Sequence, residues 1–143
     1  MGLYNIMAIG STGLAAQRVR MEVLSSNLSN VNSTRGPNGK PYQRLVPVFK
    51  SVENNPGFEN VLEGQKRLYE VEVASIKKDK RDPIEVYEPD HPDADENGYV
   101  RYPNINVVEE MVGVMSASRS YEANLTVVTA AKEMAKKALE LAR

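Results

Sequence analysis

The sequence predicts an α+β chain: long N- and C-terminal helices forming an antiparallel coiled-coil stem, with a small β-rich middle region. Three observations carry this reading. Met7, Leu14, Met21 and Leu28 recur at every seventh position, with Leu3, Leu24 and Val31 in a companion register. Towards the other end, Val107, Met111, Val114, Tyr121, Leu125, Val128, Ala135, Leu139 and Ala142 alternate by fours and threes, interrupted only by Ser118 and Lys132. Between the two stripes, Pro and Gly recur and separate short strand-like runs. A narrow apolar seam with a period of about 3.5 residues belongs to a coiled coil rather than to a helix lying on a broad core. The expected divisions are residues 1–32, 33–105 and 106–143.

The first helix is expected from about Leu3 to Asn32. Gly10, Thr12 and Gly13 weaken its beginning, since each Gly costs about 1 kcal/mol against Ala. Asn30, Asn32, Ser33 and the Gly36-Pro37 pair end it, because Pro37 cannot continue a helix and short polar side chains compete for its last backbone groups. Asn27 and Asn30 are placed to tie this helix end to the following loop by side-chain hydrogen bonds.

In the middle region, Tyr42 to Val52 reads as a strand, with Pro47 marking an edge. Leu68 to Ile76 alternates, with Tyr69, Val71 and Val73 on one face and Glu70 and Glu72 on the other. Ile84 to Tyr87 and Tyr99 to Tyr102 are shorter strands. Lys77 to Pro83 reads as a polar hairpin connection, and Asn54 to Gln65 as a loop.

The last helix has clearer signals. Pro103 precedes it, Asn106 caps it, and Glu109 completes a capping-box-like pair. Glu109 and Glu110 in the first turns, and Lys132, Lys136, Lys137 and Arg143 towards the end, suit the helix dipole. From Val107 to Ala142 such a helix is ~54 Å long. A compact domain of this size is only ~30 Å across. The helix must project, and its stripe must meet the first helix, another subunit, or both.

Composition narrows the function. The 143 residues include no cysteine, no tryptophan, two phenylalanines and one histidine, at a net charge of −1. Disulfides, thiolate metal sites and cysteine nucleophiles are excluded. The charge gives no general attraction to nucleic acid or anionic lipid. No stretch approaches the ~20 apolar residues of a membrane span. Met1 to Ala16 lacks the basic start of a cleaved secretory signal, so if the protein leaves the cytoplasm it does so by a route that reads no such signal.

Several motifs have a sharper and a plainer reading. Asp93-Ala94-Asp95-Glu96-Asn97-Gly98 opens like a calcium loop, but Asn104 stands where the bidentate Glu is needed. A polar turn with carboxylates on local backbone is the better reading. His91 has no second His or Cys to share a metal. The basic cluster from Lys77 to Arg81 is interrupted by Asp79 and lacks stacking aromatics. Glu109 and Glu110 project about 100° apart on a helix and do not form a catalytic pair. A hydrolase built on Asp93, Asp95 or His91 lacks the chain needed to make a pocket.

Larger motifs resemble those of a known family. Ala15-Ala16-Gln17-Arg18 through Met21, followed by Asn27-Leu28-Ser29-Asn30-Val31-Asn32, is similar to the amino-terminal signature of bacterial flagellar axial proteins. Ser116 through Asn124 resembles their carboxy-terminal signature. Thr34 to Arg44 and His91 to Asn104 resemble segments of the rod members. Ser29 stands where the family usually has Ala, and Ala142 where Gly is expected. The motif positions are Asn27, Asn30, Tyr42, Tyr121 and Asn124.

The resemblance implies a structural subunit of the flagellar rod, which runs through the periplasm from the MS ring towards the hook. It implies export by the flagellar type III apparatus, and as partners copies of the same chain and other rod proteins. No cofactor, metal, nucleic acid, small-molecule substrate or membrane insertion is expected. The subunit contacts are expected at Leu14, Met21, Leu24, Leu28, Val114, Tyr121, Leu125, Val128 and Leu139. Small residues beside both seams favour helix contacts on more than one side, and the free monomer is expected to fray at its ends. A coiled-coil export adaptor or secretion-pore component is the alternative.

Overall fold

Helix α1 spans Leu3–Ser29 and helix α2 spans Val107–Leu141, with strands β1 (Leu45–Glu53), β2 (Tyr69–Lys78), β3 (Ile84–Tyr87) and β4 (Tyr99–Tyr102) between them. The computed structural model describes residues 3–36, 38–53 and 68–141, so the expected Asn54 to Gln65 loop and Ala142 lie outside the described residues. The α+β class follows directly. Helix α1 stops short of the expected Asn32. Asn30 Nδ2 donates to Ser26 O at 2.8 Å, while the Asn30 N–H reaches Ser26 O and Asn27 O at 3.1 Å. Beyond it the N–H groups turn to carbonyls three residues back, Val31 to Leu28 O at 3.4 Å and Ser33 to Asn30 O at 3.1 Å, and the α-helical ladder ends.

The two helices pack antiparallel and close together. A Cβ placed on Gly10 would lie 2.5 Å from Val128 Cγ2, one on Gly13 2.9 Å from Asn124 Nδ2, and one on Gly113 3.0 Å from Leu24 Cδ1. Glycines that weaken an isolated helix here let two backbones approach. The face of α2 turned inward carries Glu110, Ala117 and Ala131, all buried, with Val114, Tyr121, Asn124 and Val128 half-buried beside them. On α1, Ala16, Val23, Leu24 and Asn27 are buried, and Met7, Leu14, Met21 and Leu28 are half-buried.

This seam differs from the one expected. Val114, Tyr121 and Val128 belong to both, but their inward companions are Glu110, Ala117, Asn124 and Ala131. Of the expected companions, Met111 and Leu125 turn outward, 53% and 47% exposed, whereas Leu139 lies on the side of Tyr121 but past the level of Leu3, where α1 begins, and is 73% exposed. Small residues win the inner position because they permit the shorter helix separation that Gly10 and Gly13 allow. Ser118, which interrupts the larger stripe, is half-buried at the edge of the seam, and Lys132 is exposed.

Strands β1 and β2 pair antiparallel from Leu45↔Lys78 to Glu53↔Tyr69, with a bulge between Val48 and Phe49. The hairpin lies against α1, where the Val71 N–H donates to Thr12 Oγ1 at 3.4 Å. Strands β3 and β4 form a separate antiparallel pair, Ile84↔Tyr102 to Tyr87↔Tyr99. Lys77 to Pro83 is therefore not a hairpin connection; it joins two sheets. The Asp79 N–H donates to Arg44 O at 2.7 Å and carries the first pairing beyond β2. The Asp79 carboxylate then accepts the Arg81 N–H at 3.1 Å and Arg81 Nε at 2.9 Å, turning the chain away before Pro83.

The β3–β4 connection is the polar turn expected. Asp95 Oδ1 accepts the N–H groups of Asn97 and Tyr99, each at 2.9 Å, and the Tyr99 bond leads in holding the Asp95 carboxyl below its ordinary pKa. Gly98 has φ +81°, a left-handed conformation that needs glycine, and the Tyr87 ring covers it. Val100 and Ile105 are buried beneath this unit.

Close helix approach makes a sharp prediction. Gly10→Leu should lower stability by about 1–3 kcal/mol in urea unfolding, through overpacking against Val128. Ser11→Leu, one residue along on the outward face, should change it by less than about 0.5 kcal/mol. Equal losses for the two variants would contradict the packing described.

Candidate assembly interface

The end of α1, the segment after it, the start of α2 and the base of the first hairpin meet in a buried polar cluster. Asn27 is fully buried and acts like a short piece of strand. Its Oδ1 accepts the Leu45 N–H at 2.9 Å and its Nδ2 donates to Leu45 O at 2.9 Å, so one amide pairs both backbone groups at the start of β1. Nδ2 also donates to Glu110 Oε2 at 3.0 Å. The Tyr42 hydroxyl donates to Asn27 Oδ1 at 3.2 Å and lies 3.3 Å from Ser26 Oγ. Asn30 accepts the Ser33 hydroxyl at 3.2 Å, which fastens the next turn.

Glu110 has no exposed surface, and its charge is met by Arg44. Arg44 Nε and Nη2 both lie 2.6 Å from Glu110 Oε1. Arg44 Nη1 reaches Asp79 Oδ2 at 3.5 Å, and Arg81 Nη2 approaches the same oxygen at 2.8 Å. The Arg81 hydrogen bond is the main reason the Asp79 carboxyl titrates below its ordinary value. Buried charges in proteins need a partner and filled hydrogen-bonding positions, and this cluster supplies both.

Glu110 and Arg44 are the residues that sequence reasoning misses. A first-turn glutamate reads as a dipole partner, and Asn106 does cap the helix, its Oδ1 accepting the Val108 N–H at 3.0 Å. The available signal was position: Glu110 falls at four-and-three spacing from Val114, Ala117 and Tyr121, which puts it on the inner face.

The expected interface residues divide by side. Leu24 is buried inside the chain. Leu14, Met21, Leu28, Val114, Tyr121 and Val128 are half-buried along the edges of the helix pair. Leu14 and Tyr121 line a groove with Ala15, Arg18, Val19 and Glu22. Leu139 is exposed past the level where α1 begins, while Leu125 faces outward, and with it Val108 (68% exposed), Val112 (59%) and Met115 (57%). In the first turns of α2, Val108, Met111, Val112 and Met115 recur at helical spacing opposite the face that meets α1. This helix start is apolar on its outward side, while its inward side carries Glu110.

Of the residues weighed for catalysis or metal binding, Asp93 accepts the Thr34 hydroxyl at 2.7 Å and pairs with Arg35 Nη2 at 2.8 Å. His91 Nδ1 accepts the Asp93 N–H at 3.1 Å. These contacts stitch the β3–β4 turn to the segment after α1. Among the described residues no helix is long and apolar enough to cross a membrane.

Removing one partner from the central pair should cost more than removing both. Glu110→Ala should destabilise the chain by about 3–5 kcal/mol in denaturant unfolding, because it strands Arg44. The double variant Glu110→Leu with Arg44→Met should cost clearly less. A double variant as unstable as the single one would show that the pair does not act as a unit.

Comparisons with known proteins bear on what this scaffold is. A family model described as flagella basal body rod protein matches residues 7–37, and one described as flagellar basal body rod FlgEFG protein C-terminal matches residues 96–141. The two matches cover α1 with its following turn, and the β4–α2 end. The chain is 45% identical over 154 residues to the flagellar basal-body rod protein FlgC of Borreliella burgdorferi, covering 99% of this chain and 98% of that protein. It is 45% identical over 141 residues to the protein of that name from Salmonella typhimurium, with 99% and 98% covered. For Bacillus subtilis FlgC the identity is 39% over 152 residues, with 100% of each chain covered. Similarity of this degree along entire chains shows that the protein belongs to the FlgC family of flagellar basal-body rod proteins.

Proposed function

We propose that the chain is a subunit of the flagellar basal-body rod that polymerises through its terminal helices and carries motor torque towards the hook in flagellum-dependent motility. The observation that carries this reading is the outward side of α2. Val108, Met111, Val112, Met115 and Leu125 remain largely exposed after α1 has covered the opposite side. An apolar band of this length is costly in water and marks a surface meant to be covered.

The mechanism is mechanical rather than chemical, and the relatives, rod proteins by name, agree with a chain that is not an enzyme. Close-packed side chains resist deformation, so twist applied at one end passes through packed helices. The buried Asn27–Glu110–Arg44 cluster fastens the helices to the β region, so that the two turn together. Copies of the chain and other rod proteins are the partners, with the base of the rod at the MS ring and the type III export apparatus as further contacts. The helix pair continues as a coiled-coil stem in the assembled shaft, within the periplasm-spanning part. Relatives that are rod proteins favour this over an export adaptor or pore component.

Leu125→Asp tests the proposal. The side chain faces outward in the monomer, so circular dichroism and unfolding of the purified variant should be unchanged. In cells it should block rod assembly and motility, because assembly would bury a charge. Normal swimming of that variant would contradict the reading. The ends of the monomer give a second test. Limited proteolysis of verified monomer should cut first in the last turns of α2, where Leu139 and Leu141 are 73% and 89% exposed. Uniform resistance of both ends would contradict an unfinished surface.

A further inference from the structure

We infer, resting on the rod reading above, that the outward ridge of α2 seats on the outward face of α1 of a second copy of this chain, antiparallel, with Arg18 opposite Glu122. The outward face of α1 carries Ser11, Ala15, Arg18, Glu22, Ser25 and Ser29, all exposed and spaced four and three apart. Its side chains are small apart from one charged turn, where Arg18 Nε lies 3.0 Å from Glu22 Oε1. The hydroxyls of Ser11 and Ser29 bond to Ala8 O and Ser25 O of their own helix, so a covering surface need not satisfy them.

The ridge of α2, read backwards, runs Thr129, Leu125, Glu122, Ser118, Met115, Met111, with the same four-and-three intervals. Set antiparallel, the two rows match position by position. Leu125 meets Ala15, Met115 meets Ser25 and Met111 meets Ser29, so each large apolar side chain faces a small one. Glu122 meets Arg18, and Arg119, beside Ser118, comes within a turn of Glu22. Both helices read positive then negative along the chain, so only the antiparallel arrangement brings unlike charges together. The charges choose orientation and register, while the ridge supplies the apolar area.

The occupant is a second copy because both halves of the match are on this chain and on different faces of it. Such a contact is heterologous: each copy offers a ridge to one neighbour and a seat to the next, and the series does not close on a pair. It also implies a stagger. Within the chain Gly13 faces Asn124, which puts Arg18 level with Arg119. Placing a neighbour's Glu122 at that height shifts the neighbour by about three residues, or ~4.5 Å along the helix axis.

The absence of cysteine makes the pairing testable without background. Single-cysteine variants Ala15→Cys and Leu125→Cys are co-expressed in one cell, and basal bodies are purified and oxidised. A second strain carries Ser11→Cys with Thr129→Cys. These positions are exposed, so folding is preserved. Each pairing should give a cross-linked dimer of two different variants, since facing positions come within disulfide reach. The mismatched pair Ser25→Cys with Leu125→Cys should give at least tenfold less. Variants that enter basal bodies but give no matched cross-link, or equal matched and mismatched yields, would overturn the pairing and leave the rod reading intact. Variants that fold yet never enter basal bodies, while the unmodified chain does not either, would overturn the rod reading itself.

Discussion

Glu110 holds a carboxylate out of contact with water, and the architecture around it exists in the form that keeps that charge paired. Arg44 supplies the counter-charge from two nitrogens at 2.6 Å, and Asn27 fills a second oxygen at 3.0 Å. Because Arg44 lies just before β1, Asn27 near the end of α1, and Glu110 in the first turns of α2, satisfying one carboxylate fixes three segments distant in sequence. The fourth, the base of β2, joins through Asp79. Domain stability is typically only about 5–15 kcal/mol, so a stranded charge of this kind would consume much of it. The cluster therefore sets where the helices stand relative to the hairpin.

Around that anchor the helices divide their surfaces by size. Inner positions go to Gly10, Gly13, Ala16, Gly113, Ala117 and Ala131, which bring the backbones close. Outer positions on α2 go to Val, Met and Leu. A monomeric helical hairpin would put its largest apolar side chains inside. This chain reverses the arrangement, so the monomer is held by close approach and polar fastening while its larger apolar surface stays available. That division suits a subunit that must hold its own fold first and be covered by others later. It gives the thin α+β fold a mechanical role.

Much of this was legible in the residues. The α+β class, both helices, four strands and the Asn106 cap follow from periodicity and punctuation. The family motifs pointed to Asn27, and its place near the helix end foretold a bond to the loop. The hydrophobic pattern puts the seam one register aside because it weights large side chains. The real inner row alternates Val114, Tyr121 and Val128 with small or polar residues that carry little apolar signal. Glu110 was hidden because a buried glutamate and a dipole-paired one look identical without a known partner, and Arg44 is sixty-six positions away. The role of Lys77 to Pro83 is not legible because polar loops between strands do not state which strands pair; here Asp79 bonds back to Arg44.

The central claim is that an intact, internally fastened helix pair is covered on its outward side by other subunits. An electron-microscopy map of purified basal bodies, at a resolution that shows side chains, tests this most directly. The account predicts that Met111, Met115 and Leu125 are enclosed by neighbouring helices while Asn27, Arg44 and Glu110 keep the partners described here. A rod in which that outward side faces solvent, or in which α1 and α2 of one chain have separated, would contradict it.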